Sequence, residues 1–174
     1  FPGETYGILL DWKKWHPIDQ ALMSYGYGIS VSLFQMAHAY TVFTNDGCIL
    51  PVSFYKEDKP APCKQVISQA TARSVRDILA ENTERGTGRN AQLEDYTTGG
   101  KTGTAQKLIN GHYSDHNHIS SFVGFAPVEK PRLVVGIMID EPKGSYYAAA
   151  VAAPVFGQIA GPALHVLGVK PDRQ

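Results

Sequence analysis

Asn110-Gly111 separates two extended runs, and that punctuation constrains the fold more than any other feature of the chain. Both residue types accept the left-handed backbone of a two-residue hairpin loop. On the N-terminal side, Tyr96 to Lys107 is rich in threonine and lacks a helical apolar period. On the C-terminal side a second apolar run extends from Ile119 to Ala126, and a third from Arg132 to Asp140. Pro127 and Pro131 bracket the short turn between them. Three runs joined by tight turns predict an antiparallel meander. Helical patterns lie on both sides of it, so the fold class is α+β, an antiparallel sheet packed with helices.

Residues 1–16 read as irregular, with Pro2, Gly3 and Gly7. Pro17 is placed to open a short helix through Met23. The glycine-rich turn Tyr25-Gly26-Tyr27-Gly28 follows. Ser30 then caps a helix running to about Asn45, with Leu33, Met36, Ala37, Tyr40 and Phe43 on one face and Gly47 as its stop. Ser68 caps the next helix, with Ala72, Val75 and Leu79 as its apolar stripe and Arg73, Arg76 and Asp77 as its solvated face. Glu84 to Arg89 reads as a mobile loop. A last helix spans about Ala149 to Leu167, with Val151, Val155, Ile159 and Val166 against the sheet and Pro162 as a kink or break. No internal repeat and no domain boundary is visible.

The chain has 174 residues, is 43% hydrophobic and carries zero formal net charge. That length buries one substantial core. Without a basic stripe, nucleic acid is not an expected partner. The apolar runs are short and interrupted by glycine and proline, so no membrane span is read, and no signal peptide opens the chain. Cys48 and Cys63 flank two short extended segments joined by Glu57-Asp58-Lys59-Pro60-Ala61-Pro62. A hairpin would set them opposite each other, but sequence alone does not fix pairing geometry, and the reading favours free, partly buried thiols.

Gly100-Lys101-Thr102-Gly103-Thr104 invites two incompatible chemistries. A phosphate loop needs G-x-x-x-x-G-K-[ST], whose backbone N–H groups wrap the anion. Its first glycine would fall at Asp95, a carboxylate that repels phosphate. The strand end Asp140-Glu141 resembles a magnesium-binding position, but a buried strand ending in polar residues is the commoner explanation. On a strand, Lys101, Gly103 and Ala105 point one way and Thr102 and Thr104 the other. A glycine inside a strand often marks close approach of a ligand's backbone. A lysine and two hydroxyls beside that gap would bind a carboxylate. On these residues alone, such a surface and an edge strand with a solvated lysine stand level.

The histidines of His112-Tyr113-Ser114-Asp115-His116-Asn117-His118 hold helical metal-ligand spacing at 112 and 116. Gly111, Ser114, Asp115 and Asn117 favour a polar hairpin crown instead, and a metal site needs three or four converging ligands. No metal and no cofactor is read.

An ordered series of blocks carries a family resemblance: Phe1-Pro2-Gly3-Glu4, Ser24-Tyr25-Gly26-Tyr27-Gly28, Gly100 to Ala105, Phe122-Val123-Gly124-Phe125-Ala126-Pro127, Ile139-Asp140-Glu141-Pro142 and Ala153-Pro154-Val155-Phe156. The chain resembles the C-terminal part of class B penicillin-binding proteins, and among them the division-specific peptidoglycan D,D-transpeptidases of the penicillin-binding protein 3 type. The resemblance implies a penicillin-binding transpeptidase/serine β-lactamase-like fold, with the meander part of a larger sheet. The family carries Ser-x-x-Lys, then Ser-x-Asn, then Lys-Thr-Gly. Here Ser53-Phe54-Tyr55-Lys56 matches the first string by chance, because Leu50 to Tyr55 reads as a strand, where positions three apart face opposite sides. No Ser-x-Asn string occurs. Residues 1–174 are therefore expected to be the C-terminal portion of a transpeptidase domain whose nucleophile lies elsewhere.

The resemblance also assigns roles. Lys101 and Thr104 serve catalysis, Lys101 by charge and Thr104 through its backbone N–H in the oxyanion hole. Thr102 and Thr104 bind the substrate carboxylate, and Gly103 lets the substrate backbone lie close. Tyr113 borders the cleft, and Tyr146 and Tyr147 wall it. The implied partners are peptidoglycan stem peptides, β-lactams and division-complex membrane proteins. The implied location is the bacterial inner membrane with a periplasmic catalytic domain. A β-lactam sensor of the same fold, or a non-catalytic scaffold, is the alternative.

Overall fold

The computed structural model describes residues 5–173 except 57 and 60. The block Phe1-Pro2-Gly3-Glu4, and Glu57 and Pro60 of the Cys48–Cys63 connection, lie outside the described residues.

The N-terminal segment is more regular than its glycines suggest. β1 (Ile8–Leu9) pairs antiparallel with β2 (Ile29–Ser30), and a 3-10 turn covers Trp12–Lys14. Between the strands lies α1 (Pro17–Met23), opened by Pro17 as expected. α2 is Leu33–Thr44, and its cap is Ser32 rather than Ser30. Ser32 accepts from the Gln35 N–H while the Gln35 side chain accepts from the Ser32 N–H, a reciprocal pair that Ser30 would not form. Val42 is the buried residue of this helix, whereas Met36 is exposed.

β3 (Cys48–Ile49) and β4 (Lys64–Gln65) form a short hairpin, and Cys48 is disulfide-bonded to Cys63. The expected free thiols are thus corrected: the hairpin brings the two Cα atoms to 5.7 Å, within bridging range. Residues 50–56 form no strand.

α3 (Gln69–Arg85) starts at Ser68, whose side chain accepts from the Thr71 N–H. It buries Ala72, Leu79 and Thr83. Arg76 belongs less to a solvated face than expected, because its side chain is only 12% exposed. The helix absorbs Glu84 and Arg85, so the connection to the 3-10 turn Arg89–Ala91 is short.

β5 (Gly99–Ile109), β6 (His112–Ala126) and β7 (Leu133–Asp140) form the expected meander in the order β5-β6-β7. Asn110 and Gly111 turn it with φ of 51° and 81°. The polar tract expected as a crown lies within β6. Pairing jumps from Gln106↔His118 to Leu108↔Tyr113, so residues 114–117 bulge opposite Lys107 alone. Ser114 and Asn117 hydrogen-bond across that bulge.

After β7 the chain forms α4 (Ala148–Val151) and α5 (Ala153–Val166), separated at Ala152. Pro162 does not break α5. It is exposed, as is Gln158, so solvent reaches the carbonyl that proline leaves unpaired. The packed stripe is Ala152, Ala153, Phe156, Ala160 and Leu164, whereas Ile159 and Val166 are exposed. The small alanines let α5 approach the sheet, and Phe156 meets Phe122 edge-on at 5.1 Å. Residues 148–166 are long and apolar enough to cross a membrane, contrary to the sequence reading; this stripe packs them on the sheet. The opposite face of the sheet receives α2, with Leu33 and Ala37 close over Gly136.

Candidate functional site

β5 runs through the Lys-Thr-Gly segment without interruption, so the phosphate-loop alternative falls: no helix begins after Gly100-Lys101-Thr102. The glycines divide by role. A Cβ at Gly99 would lie 2.5 Å from the Phe125 ring, and one at Gly100 would lie 2.5 Å from Phe122 and 2.8 Å from the Val123 carbonyl. Core packing therefore requires both. A Cβ at Gly103 would meet only the Ser121 hydroxyl, at 2.7 Å. The fold can absorb that contact by rotating the hydroxyl, so the space over Gly103 is open.

Among the described residues β5 is an edge strand. Its outward side is fixed by two contacts: the Thr83 hydroxyl donates to the Thr98 carbonyl, and the Asn82 amide donates to the Gly100 carbonyl at 2.7 Å. Backbone groups of alternate residues share an edge. The N–H and carbonyl of Thr102 and Thr104 therefore face outward as well. Lys101 bends its ammonium round this edge to donate to the Thr102 carbonyl at 2.8 Å and the Thr102 hydroxyl at 3.3 Å. The Thr102 hydroxyl also pairs with that of Thr87 at 2.8 Å.

Thr104 lies on the face that carries α4. Its hydroxyl accepts the Ala148 N–H at 3.1 Å. Its cross-strand neighbour Ser120, fully buried, donates to the Tyr146 carbonyl. Two strand residues thus seat the loop that carries Tyr146 and Tyr147. The Tyr146 ring stacks on buried His118 at 4.1 Å and 11°, and Tyr147 lies 4.6 Å from Tyr146. Tyr146 donates its hydroxyl to Tyr147 at 3.3 Å, and that hydrogen bond is the main influence raising the Tyr146 pKa above the usual phenol value. Lys107 on β5 holds Asp140 at 2.9 Å and Glu141 at 2.8 Å, hydrogen bonds that raise its own pKa.

The structure therefore sets Lys101, Thr102, Gly103 and Thr104 in the N-terminal half of β5 and seats the loop of Tyr146 and Tyr147 beside Thr104, with the Tyr146 ring over His118, the partner of Gln106. Tyr113 is not in that group. It pairs with Leu108, about 13 Å along the strand from Thr104 at ~3.3 Å per residue, and its ring packs edge-on against Tyr27 at 5.3 Å. Ser53 is neither on a helix nor on the expected strand. Its hydroxyl donates to the Tyr55 carbonyl at 2.9 Å and accepts the Tyr55 N–H at 3.1 Å. His112 is paired with Ile109, His116 sits in the bulge, and His118 lies under Tyr146. Among the described residues no three His, Cys, Asp or Glu side chains converge as metal ligands. Sequence reading missed Asn82, Thr87, His118 and Ser120. Each acts across tertiary contacts that leave no local pattern.

The family model of the penicillin binding protein transpeptidase domain matches residues 1–161. The chain is 47% identical over 175 residues to the probable peptidoglycan D,D-transpeptidase PenA of Neisseria meningitidis, covering 99% of this chain and 30% of that protein. The apo transpeptidase domain of Burkholderia pseudomallei penicillin-binding protein 3 superposes with a TM-score of 0.94 at 44% identity, covering all of this chain and 54% of that one. Penicillin-binding protein 3 of Mycobacterium tuberculosis, solved in complex with aztreonam, superposes with a TM-score of 0.84 at 32% identity, covering 98% of this chain and 43% of that one. The chain thus spans about a third of the curated relative's length and about half of the solved domains.

Proposed function

The chain belongs to the penicillin-binding protein transpeptidase family, and from that membership we propose that residues 1–174 form the C-terminal part of a serine peptidoglycan D,D-transpeptidase domain. The Ser-x-x-Lys and Ser-x-Asn motifs are then supplied by chain outside these residues. The observation that carries the reading is the open β5 edge, with Lys101 wrapped round it and the outward backbone of Thr102 and Thr104 beside it.

In this scheme the donor is a stem peptide ending in D-Ala-D-Ala. The serine oxygen attacks the penultimate carbonyl, the terminal D-Ala leaves with a proton, and an ester to the enzyme forms. An amine of a second stem peptide attacks that ester, restores the serine and closes the cross-link. The Thr104 N–H faces the edge where the oxyanion develops, and such a donor is typically worth ~10²–10³ in rate. The Thr104 hydroxyl already accepts from Ala148, so its proton remains free to donate to the donor's terminal carboxylate. The Lys101 ammonium adds a positive charge, and the Thr102 hydroxyl adds a second donor once it exchanges its Thr87 partner for the ligand. Tyr146 and Tyr147 wall the face beside Thr104, and Tyr113 borders the far end of the cleft. β-Lactams enter as donor mimics; the aztreonam complex of the M. tuberculosis relative supports that ligand class. The resemblance to division-specific members extends the proposal to septal wall synthesis, division-complex membrane partners and a membrane-anchored parent with a periplasmic domain.

Intact mass after incubation with benzylpenicillin tests the reading. The chain alone should form no adduct, and the complete transpeptidase should form one per molecule. A stoichiometric adduct on residues 1–174 would overturn it, with Ser53 the first nucleophile to examine.

A further inference from the structure

The outward carbonyls of β5 are treated unequally on the two sides of Lys101. Before it, Thr98 takes the Thr83 hydroxyl and Gly100 takes the Asn82 amide at 2.7 Å. Both donors sit on consecutive residues of the last turns of α3, and Thr83 is fully buried. After it, the Thr102 carbonyl takes Lys101 itself, a flexible side chain that a ligand can displace. The Asn82 amide is held in place. Its oxygen accepts from the Thr87 hydroxyl at 3.3 Å. A Cβ on Gly86 would lie 2.5 Å from that oxygen, and one on Gly88 would lie 2.8 Å from the amide nitrogen. Two glycines thus leave room for one carboxamide in one orientation.

An extended peptide that adds to a strand edge can slip by two residues without exchanging its faces. On β5 a slip toward the N-terminus would pair the ligand with Gly100 instead of Thr102. It would carry the ligand's carbonyl about 7 Å from the Thr104 N–H, at ~3.4 Å per residue. We propose that Asn82 is a positioning residue that blocks this slip: with Thr83 it closes the β5 edge up to Gly100, so that an extended peptide pairs no further toward the N-terminus than Thr102. This rests on the proposed transpeptidase reading, in which the donor peptide lies along β5.

The slipped register is bound but unreactive, which gives a distinctive kinetic signature. Asn82→Leu keeps the shape without adding charge, removes the donor and leaves the Gly100 carbonyl unpaired. In the complete transpeptidase, D-Ala release from a synthetic stem peptide ending in D-Ala-D-Ala is compared with acylation by 6-aminopenicillanic acid, which has no side-chain amide to pair on the edge. For the peptide, kcat and KM are expected to fall together by two-fold or more, with kcat/KM held. For 6-aminopenicillanic acid the acylation rate should stay within two-fold of wild type. A purely structural role would instead lower the acylated fraction at full titration and leave KM unchanged. A role in orienting Lys101 would slow both ligands. Either result overturns the proposal. Absence of wild-type acylation would count against the transpeptidase reading itself.

Discussion

The Thr104 hydroxyl accepts the backbone N–H of Ala148 at 3.1 Å, joining residues 44 apart in the sequence. One atom therefore serves two purposes. Its lone pair seats the loop that carries Tyr146 and Tyr147, and under the proposed function its proton would donate to the ligand's carboxylate. Thr104→Val removes both, whereas Thr104→Ser keeps both. In the complete transpeptidase we expect Thr104→Val to slow penicillin acylation at least ten-fold and to lower stability by about 1 kcal/mol, the usual net value of one hydrogen bond. Thr104→Ser should stay within about three-fold of wild type, since its hydroxyl makes the same bonds. Equal rates for the two variants in stopped-flow acylation would remove the hydroxyl from the site.

The glycines of the Lys-Thr-Gly segment should fail in different ways. Gly100→Val drives a side chain into Phe122 and the Val123 carbonyl, so thermal unfolding should show a large loss of stability. A Cβ at Gly103 meets only the Ser121 hydroxyl, so in Gly103→Val the fold should persist while acylation is abolished. Circular dichroism melts beside acylation titrations separate the two outcomes. Normal acylation by Gly103→Val would contradict close approach of a ligand at that residue.

Much of this arrangement is legible in the sequence where local chemistry decides it. Asn110-Gly111 fixes a turn because both residues take positive φ, and Ser68 fixes a helix start because its side chain reaches the Thr71 N–H. Other readings failed where packing decides. Val155 of α5 packs against the core as expected, but Ile159 and Val166 do not, because the buried stripe runs through Ala152, Ala153, Phe156, Ala160 and Leu164 and turns them to solvent. Pro162 survives in α5 because its orphaned partner faces solvent. The site divides likewise. Lys101 to Thr104 declare themselves as a short motif, whereas Asn82, Thr87 and Ser120 join it only when α3 and β6 are folded beside β5.

Lys101 should act through its charge. It reaches the Thr102 carbonyl by bending round the strand edge, a reach that the longer arginine side chain also has. In the complete transpeptidase Lys101→Ala should lose far more acylation than Lys101→Arg. Equal losses would point to shape rather than charge.

The Cys48–Cys63 bridge closes a connection of 15 residues. By chain entropy such a loop stabilises by ~3 kcal/mol. Cys48→Ser/Cys63→Ser should therefore melt well below the oxidised protein, and reducing agent should lower the wild type to meet it. Coincident melts of the oxidised wild type and the double variant would show that the bridge contributes nothing to stability.

Asp46 offers a pH test that does not touch the site. It lies in the turn after α2 with φ of 52°. The Gln69 amide donates to its carboxylate at 2.9 Å, and Arg73 and Arg76 stand at 3.6 and 3.9 Å. The Gln69 hydrogen bond first, and the two guanidiniums after it, hold its pKa below the usual carboxylate value. A lowered folded-state pKa means that the unfolded chain binds the proton more readily. The carboxylate's contribution is then complete above the ordinary value of about 4 and disappears as pH falls through the folded-state pKa. Asp46→Asn suits this test because asparagine tolerates the same left-handed backbone. Its melting temperature should lie below wild type at pH 7, and the two curves should converge as pH falls from about 4 toward 2. A gap that persists at the acid end would assign the effect of Asp46 to something other than its charge.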